Sequence, residues 1–305
     1  MRRNRRAASA HLEVTADLPS NGRPQSIVVS PYKSQNPERA VPVTILTMAS
    51  DRDEWFADES IWKDLYPFTF PESAFAVAEE QVEKILRLTC VGGGKVLDLC
   101  CGPGRHAVAL AKRGFAVTAV DRTRFLLEHA RTRVGQANLS AEFVLEDMRR
   151  FSRPATFDLI INFFTSFGYF VDQADDLRVL ERVRENLKPG GVFVLEMVSK
   201  ERLARSFQAT TSRELPNGDL LFERHEIVDD WTRVRNRWTL MRAGSMRTFE
   251  FTHRIYSGQE MKALLASAGL AGPRLYGDLD GGSYGFDAQR LIAIARRPSI
   301  SGQCS

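Results

Sequence analysis

Between Val96 and Val198 short apolar runs alternate with amphipathic helical patterns, and that alternation restricts the possible folds more than any other feature of the chain. The apolar runs are Val96–Cys101, Val117–Val120, Phe143–Leu145, Leu159–Phe164 and Val192–Val198. Between them lie a helix opening near Gly104, a helix over Thr123–Val134 and a helix over Asp175–Leu187, in which Leu177, Leu180, Val183 and Leu187 share one face. Lys188-Pro189-Gly190-Gly191 supplies the breakers that end the last of these. Strands that are apolar on both faces must be covered on both, so the pattern predicts a parallel sheet flanked by helices.

Other segments break this rhythm. Asp51–Leu88 has helical periodicity and carries the aromatic cluster Trp55, Phe56, Trp62, Tyr66, Phe68 and Phe70, which predicts a helical cap over residues 48–92. These aromatics suit either a lid over a ligand or ordinary helix packing. Residues 93–298 form the main domain, interrupted at about 205–256 by stretches rich in β-formers (Leu221–Trp231, Thr232–Met241, Arg247–Tyr256), which predict an antiparallel insert. Ser257-Gly258-Gln259-Glu260 has capping-box spacing, and Arg274–Leu279 with Leu291–Ala295 predicts a closing antiparallel pair. Residues 1–47 are polar and show no sustained period, so they are expected to be a disordered extension, with 299–305 a short tail. A translation start at Met48 is favoured over a transit peptide or an interaction tail, because Glu13, Asp17 and Glu38 do not suit a transit peptide.

Charge excludes little. The net charge of +4 resides in residues 1–47, where seven Lys and Arg face three acids, so the remainder is neutral and a nucleic-acid surface is not required. No window approaches a membrane span, and a cytoplasmic protein without a membrane partner is expected. The four cysteines, Cys90, Cys100, Cys101 and Cys304, lack paired zinc spacing, so no metal is expected, and reduced thiols are favoured over a Cys100–Cys101 redox switch.

The chemistry concentrates in Asp98-Leu-Cys-Cys-Gly102-Pro-Gly104-Arg-His-Ala107, which joins the first strand to its helix. Two glycines one residue apart let the backbone approach a ligand, and the helix start offers free N–H groups. The same spacing satisfies a dinucleotide fingerprint, and Asp121 at the end of the second strand suits a ribose diol in either case. Asp98 separates the readings, since it would repel a pyrophosphate but attract an ammonium group. Asp147-Met148 follows the third strand and offers an acceptor and an apolar contact for an adenine ring.

With Asp98–His106, Val120-Asp121-Arg122, Glu146-Asp147-Met148, Phe157–Phe164 and Leu187–Gly191 in hand, residues 51 to 297 resemble a class I S-adenosylmethionine-dependent methyltransferase of the type with an Asp-Leu-Cys-Cys-Gly-x-Gly-Arg-His loop. The resemblance implies an α/β fold: a Rossmann-like doubly wound seven-stranded sheet with an antiparallel last strand. It implies S-adenosyl-L-methionine as cofactor, held by Asp98, Cys100, Gly102, Gly104, Asp121, Arg122, Asp147, Met148 and Asn162. Gly102 and Gly104 would lie against the methionine part, Asp121 on the ribose and Asp147 on the adenine amine. Asp98 either contacts the ligand or braces the loop. Cys100 stands where many members have glycine.

The run Asn162–Phe170 lacks the Asn/Asp-Pro-Pro-aromatic signature of enzymes that methylate bases, which lowers the nucleic-acid reading. Its aromatics suit a small-molecule acceptor, and the acceptor pocket is expected to use Tyr66, Arg105, Phe164, Thr165 and Tyr169. Candidate bases are His106, Tyr169 and Glu196, while His253 is expected to be a hydrogen-bonded core histidine. An RNA or protein methyltransferase, a non-catalytic S-adenosylmethionine-binding regulator and a nicotinamide dehydrogenase are the rival functions. A homodimer through the β insert is a possible assembly.

Overall fold

The computed structural model describes residues 26–28, 44–48 and 54–299. Two short strands come first, β1 (Ser26–Val28) and β2 (Thr44–Met48). They fall inside the segment expected to be disordered, and four of the five β2 residues precede Met48; the rest of residues 1–47 lies outside the described residues. A 3-10 turn at Trp55–Ala57 leads into α1 (Glu59–Thr69), α2 (Glu72–Ala76) and α3 (Ala78–Thr89). Asp58 caps α1 by accepting from the Ser60 N–H at 2.9 Å.

The main domain runs β3 (Lys95–Leu99), α4 (Arg105–Lys112), β4 (Ala116–Asp121), α5 (Arg124–Gln136), β5 (Glu142–Leu145), β6 (Phe157–Asn162), α6 (Gln173–Asn186) and β7 (Leu187–Met197). After α7 (Lys200–Ser206) the insert contributes β8 (Thr210–Glu214), β9 (Leu220–Val228), β10 (Arg233–Arg242) and β11 (Ser245–Arg254). The chain closes with α8 (Gly258–Ser267), β12 (Ala271–Tyr276) and β13 (Leu291–Arg296). The capping box expected at Ser257 is present in full.

Seven strands form one sheet in the order β12-β13-β7-β6-β3-β4-β5, with β13 antiparallel to both its neighbours and the remaining pairs parallel. The parallel strands are those the strand–helix alternation predicted, and the whole is the Rossmann-like doubly wound sheet with an antiparallel last strand that the resemblance implied. Alternate side chains along each strand divide between two cores. Leu97, Ile160 and Phe193 face α6 and α8, whereas Val96, Leu159 and Val194 face α3, α4 and α5. The order reverses between β3 and β6, which opens a crevice at the carboxyl ends of those strands.

A second sheet, in the order β1-β2-β11-β10-β9-β8, is built by the insert and the two leading strands. Sequence reading found β9, β10 and β11 but not β8, whose Thr-Thr-Ser-Arg-Glu is a mostly exposed polar edge. The inward face of β10 carries Val234, Asn236 and Leu240, all buried, so this side of the insert is used within the chain. The insert is fastened to the cap by Arg247, which reaches Asp64 and the Ser60 hydroxyl, and to α6 by Tyr256, which donates to Asp176 Oδ2 at 2.6 Å.

Asp176 is fully buried, with its carboxyl pushed up to about 6 by burial. Removing the phenol leaves a buried oxygen without its donor, so Tyr256→Phe is expected to cost about 1–3 kcal/mol in urea unfolding. A loss below about 0.3 kcal/mol would show that this bond does not hold the insert.

Candidate active site

The loop after β3 lies in the crevice and turns through three left-handed residues: Cys100 at φ 61°, Gly102 at 53° and Gly104 at 82°. Cys100 pays for that conformation, since an L-residue there costs on the order of 1–2 kcal/mol. This accounts for the glycine that related loops carry at the position. The loop is pinned from β4: Asp121 Oδ2 accepts from the Gly102 N–H at 2.8 Å and Oδ1 from the Thr123 N–H at 2.9 Å. Burial raises the Asp121 carboxyl, and these backbone donors oppose the shift.

Asp98 is the unusual group. It is 2 % exposed, lines the pocket, and its Oδ2 has no hydrogen-bond partner. Burial, with the charge of Asp121 second, pushes its carboxyl up to about 7, against a smaller opposing pull from Arg105. An unpartnered buried carboxylate oxygen favours a cationic ligand group, which would restore its ionised form.

Most of the expected cofactor residues meet here: Asp98, Cys100, Gly102, Asp121, Arg122, Asp147 and Met148 line one pocket. Cys100 Sγ lies 3.4 Å from Met148 Sδ, which joins the loop to the segment after β5. Burial pushes both the Cys100 and Cys101 thiols up, so neither is a ready nucleophile.

Three expected residues lie off this pocket, and a fourth, Asp147, is held within it by neighbouring arginines. Gly104 does not line the pocket; a Cβ there would stand 2.9 Å from that of Ala130, so this glycine serves the close packing of α4 on α5. Asn162 is also outside it, and its Nδ2 donates to the Leu99 carbonyl at 3.0 Å, tying β6 to β3. Tyr66 turns away from the pocket and stacks on His129 with ring centroids 4.5 Å apart; Phe70, four residues on, lines the pocket instead. Asp147 lines the pocket with both oxygens engaged, Oδ1 by the N–H and Nε of Arg149, and Oδ2 by Arg149 at 2.6 Å and Arg122 at 3.0 Å. Burial pushes its carboxyl up, but these partners outweigh it and hold it low.

The cap closes over the pocket. Phe56, Trp62 and Phe70 line it, which makes the N-terminal aromatic cluster a wall of the site. Glu54 fastens the start of the cap by ion pairs of 2.5 Å to both Arg122 and Arg149. Thr69 and Phe170 were not singled out in the sequence, and nothing in local spacing says which members of the aromatic cluster face inward.

The candidate bases fare unevenly. His106 lines the pocket, but burial, aided by Arg105, lowers its imidazole to about 3, so it is a weak proton acceptor. Tyr169 lines it too, with its phenol raised by burial and therefore protonated at neutral pH. Glu196 does not reach the pocket; its Oε2 accepts from the Phe164 N–H at 2.7 Å and its Oε1 is paired with Arg290 at 3.2 Å. Glu196 thereby holds a strained turn, because Phe164 and Thr165 both have positive φ. Arg105, which burial lowers to about 10, lies 3.1 Å over the Phe164 ring.

A second cavity of about 420 Å³ opens between the cap, the turn after β6 and the inner face of the insert. It shares Trp62, Thr69, Phe164 and Tyr169 with the first pocket, so the two adjoin. Thr165 lines this cavity alone. His253 is hydrogen-bonded, to Asn236 at 3.2 Å, yet it faces this cavity rather than a closed core. His225 and Asn236 also line it and went unnoticed. The available signal was a polar residue, Asn236, on an apolar face of period two.

Strand order, glycine loop and the acids ending β3 and β4 together define a class I methyltransferase fold. Residues 96–191 match the family model described as a methyltransferase domain. A protein of Geobacillus sp. (strain WCH70) named as a methyltransferase is 30% identical over 117 residues, 38% of this chain and 47% of its own length. A dTDP-3-amino-3,4,6-trideoxy-alpha-D-glucopyranose N,N-dimethyltransferase of Streptomyces venezuelae is 27% identical over 40% of this chain and 50% of its own. The chain thus spans about half the length of these relatives. An S-adenosylmethionine-dependent methyltransferase structure from Clostridium acetobutylicum ATCC 824 superposes with a TM-score of 0.64 at 17% identity, over 79% of this chain and 98% of that one, and shares the fold. Residues 96–191 thus match a methyltransferase domain, set in a fold shared with methyltransferases that take S-adenosylmethionine as cofactor.

The Asp98 carboxyl fits that ligand, whose methionine part bears an ammonium group. Bound ammonium favours the ionised carboxyl, so the complex holds fewer protons than the free protein below pH 7 and affinity rises with pH. Calorimetry should find S-adenosylhomocysteine binding about tenfold tighter at pH 8 than at pH 6, with the dependence lost in Asp98→Asn. A flat wild-type profile would separate Asp98 from the ligand's ammonium.

Proposed function

We propose that this chain transfers the methyl group of S-adenosyl-L-methionine to a nitrogen or oxygen atom of a small molecule. The observation that carries the reading is the pairing of two adjoining cavities. One has a buried carboxylate with an unpartnered oxygen beside a left-handed glycine loop, and the other is walled by aromatics of the cap and the insert.

When bound, the cofactor supplies an activated methyl on a sulfonium centre. Asp98 would meet its ammonium, the Gly102 turn its amino-acid backbone, and Asp121 its ribose hydroxyls. Met148 would lie against the adenine. Arg122 and Arg149 hold Asp147, so the adenine amine would meet a carboxylate already fixed in place.

The protein's share of the catalysis is positioning and the exclusion of water. Phe56, Trp62 and Phe70 would shut one side, and the Phe164–Thr165 turn, fixed by Glu196, would stand at the passage between the cavities. The relative from Streptomyces venezuelae, which methylates an amino sugar, favours a small acceptor over a macromolecule.

The full chain, incubated with methyl-labelled S-adenosylmethionine and a panel of small amines and hydroxyl compounds, should form S-adenosylhomocysteine only when an acceptor is added. Glu196→Ala, which frees the strained turn, is expected to lower turnover at least tenfold with cofactor affinity changed less than threefold. Cofactor binding without turnover on any panel member, together with transfer to RNA or protein, would replace this reading.

A further inference from the structure

The second cavity contains a polar device that the cofactor site does not use. Asn236, 2 % exposed in the middle of β10, sits between two imidazoles on the flanking strands. Its Oδ1 is 2.8 Å from His225 Nδ1, and its Nδ2 is 3.2 Å from His253 Nδ1. The two protons of the same Nδ2 are shared with the Val234 carbonyl at 3.3 Å and the Phe251 carbonyl at 3.5 Å. These carbonyls fix which end of the amide points where, because a flipped amide would set its oxygen against two acceptors.

With the amide fixed, the two histidines are forced into opposite tautomers. Oδ1 can only accept, so His225 carries its proton on Nδ1 and leaves a lone pair on Nε2. Nδ2 can only donate, so the His253 Nδ1 must be bare and its proton resides on Nε2. Burial, with smaller contributions from His225 and Arg233, lowers the His253 imidazole to about 4, which keeps it a neutral donor. Asymmetry of this kind is what a hydroxyl needs from a protein: one group to take its proton and a second to hold an oxygen lone pair.

The remaining lining limits the ligand. Trp55, Trp62, Trp238 and Phe251 supply flat apolar walls, and the indole N–H groups of Trp55 and Trp238 are buried without partners. Apart from the two histidines, no Asp, Glu, Lys or Arg lines the cavity among the described residues. A phosphorylated or otherwise anionic acceptor would lose its hydration there without gaining a counter-charge.

Resting on the methyl-transfer reading above, we infer that this cavity binds an uncharged aromatic hydroxyl compound between the tryptophans, with Nε2 of His225 receiving the hydroxyl proton and Nε2–H of His253 donating to a ligand oxygen. In the transfer, the oxygen–methyl bond forms as the methyl–sulfur bond breaks, the sulfur keeps that electron pair, and the proton ends on His225. The acceptor is therefore chemically unlike the nucleotide-linked amino sugar of the Streptomyces relative.

The test uses the full chain, labelled with nitrogen-15 in its histidine rings and saturated with S-adenosylhomocysteine. Ring nitrogen NMR should show His225 protonated on Nδ1 and His253 on Nε2, and Asn236→Leu should abolish the distinction. Titration with 2-naphthol should quench tryptophan fluorescence saturably and shift the His225 Nε2 resonance, whereas dTDP-glucose should do neither. His225→Gln should weaken 2-naphthol binding about tenfold, the worth of one buried hydrogen bond, with S-adenosylhomocysteine affinity unchanged. Identical tautomers at both histidines, failure of 2-naphthol to bind, or occupation of the cavity by dTDP-glucose would each overturn the inference. Loss of S-adenosylhomocysteine binding by the wild type would instead overturn the methyl-transfer reading.

Discussion

Two backbone hydrogen bonds accepted by the carboxylate of Asp121 hold the site together. One fixes the Gly102 N–H and the other the Thr123 N–H, so the turn between β3 and α4 is locked to the end of β4. That lock adds to the backbone bonds from the Cys101 N–H to the Val120 carbonyl and from the Gly104 N–H to the Cys101 carbonyl, and to the packing of α4 on α5, in holding the left-handed sequence at Cys100, Gly102 and Gly104. The pocket floor, the orientation of Asp98 and the approach of a ligand to the backbone all follow from this turn. A carboxylate accepting backbone N–H bonds in a buried place costs desolvation energy, which is offset because both donors would otherwise be unsatisfied as well.

Around this turn the chain assembles walls from distant segments. The cap supplies Phe56, Trp62 and Phe70; the turn after β6 supplies Phe164 and Tyr169; the insert supplies Trp238 and Phe251. Trp55 ties the three together, with its ring centroid 4.4 Å from that of Phe251 and 4.8 Å from that of Tyr169. Aromatic contacts of this sort each add modest energy beyond their buried area, and here they link elements that share no strand pairing. The Glu54 pairs with Arg122 and Arg149 join the cap to the same strand ends that present the cofactor acids.

Much of this architecture was legible in the sequence. Strand and helix alternation fixes the period and the burial of each element, and a loop of unusual glycines between them marks the ligand edge, so the parallel sheet and the positions of Asp98, Gly102 and Asp121 at its strand ends follow from local pattern, while the strand order does not. What local pattern cannot supply is the direction in which an exposed-looking side chain turns. Tyr66 and Phe70 lie one helical turn apart, and only the packing of α1 on α5 decides that Phe70 faces the pocket. Glu196 ends an apolar strand, as a catalytic acid would, yet the strained backbone at Phe164 and Thr165 claims its carboxylate. Likewise the His225, Asn236 and His253 group depends on the register of three antiparallel strands, which hairpin lengths set and composition does not.

The lock at Asp121 is most directly tested by titrating the wild type and Asp121→Ala with S-adenosylhomocysteine in a calorimeter. Loss of the carboxylate removes both the brace on the Gly102 turn and the proposed acceptor for the ribose, so affinity should fall by about 1.5–3 kcal/mol while the folded structure persists. Equal affinity in the two proteins would contradict the placement of the cofactor at this strand end.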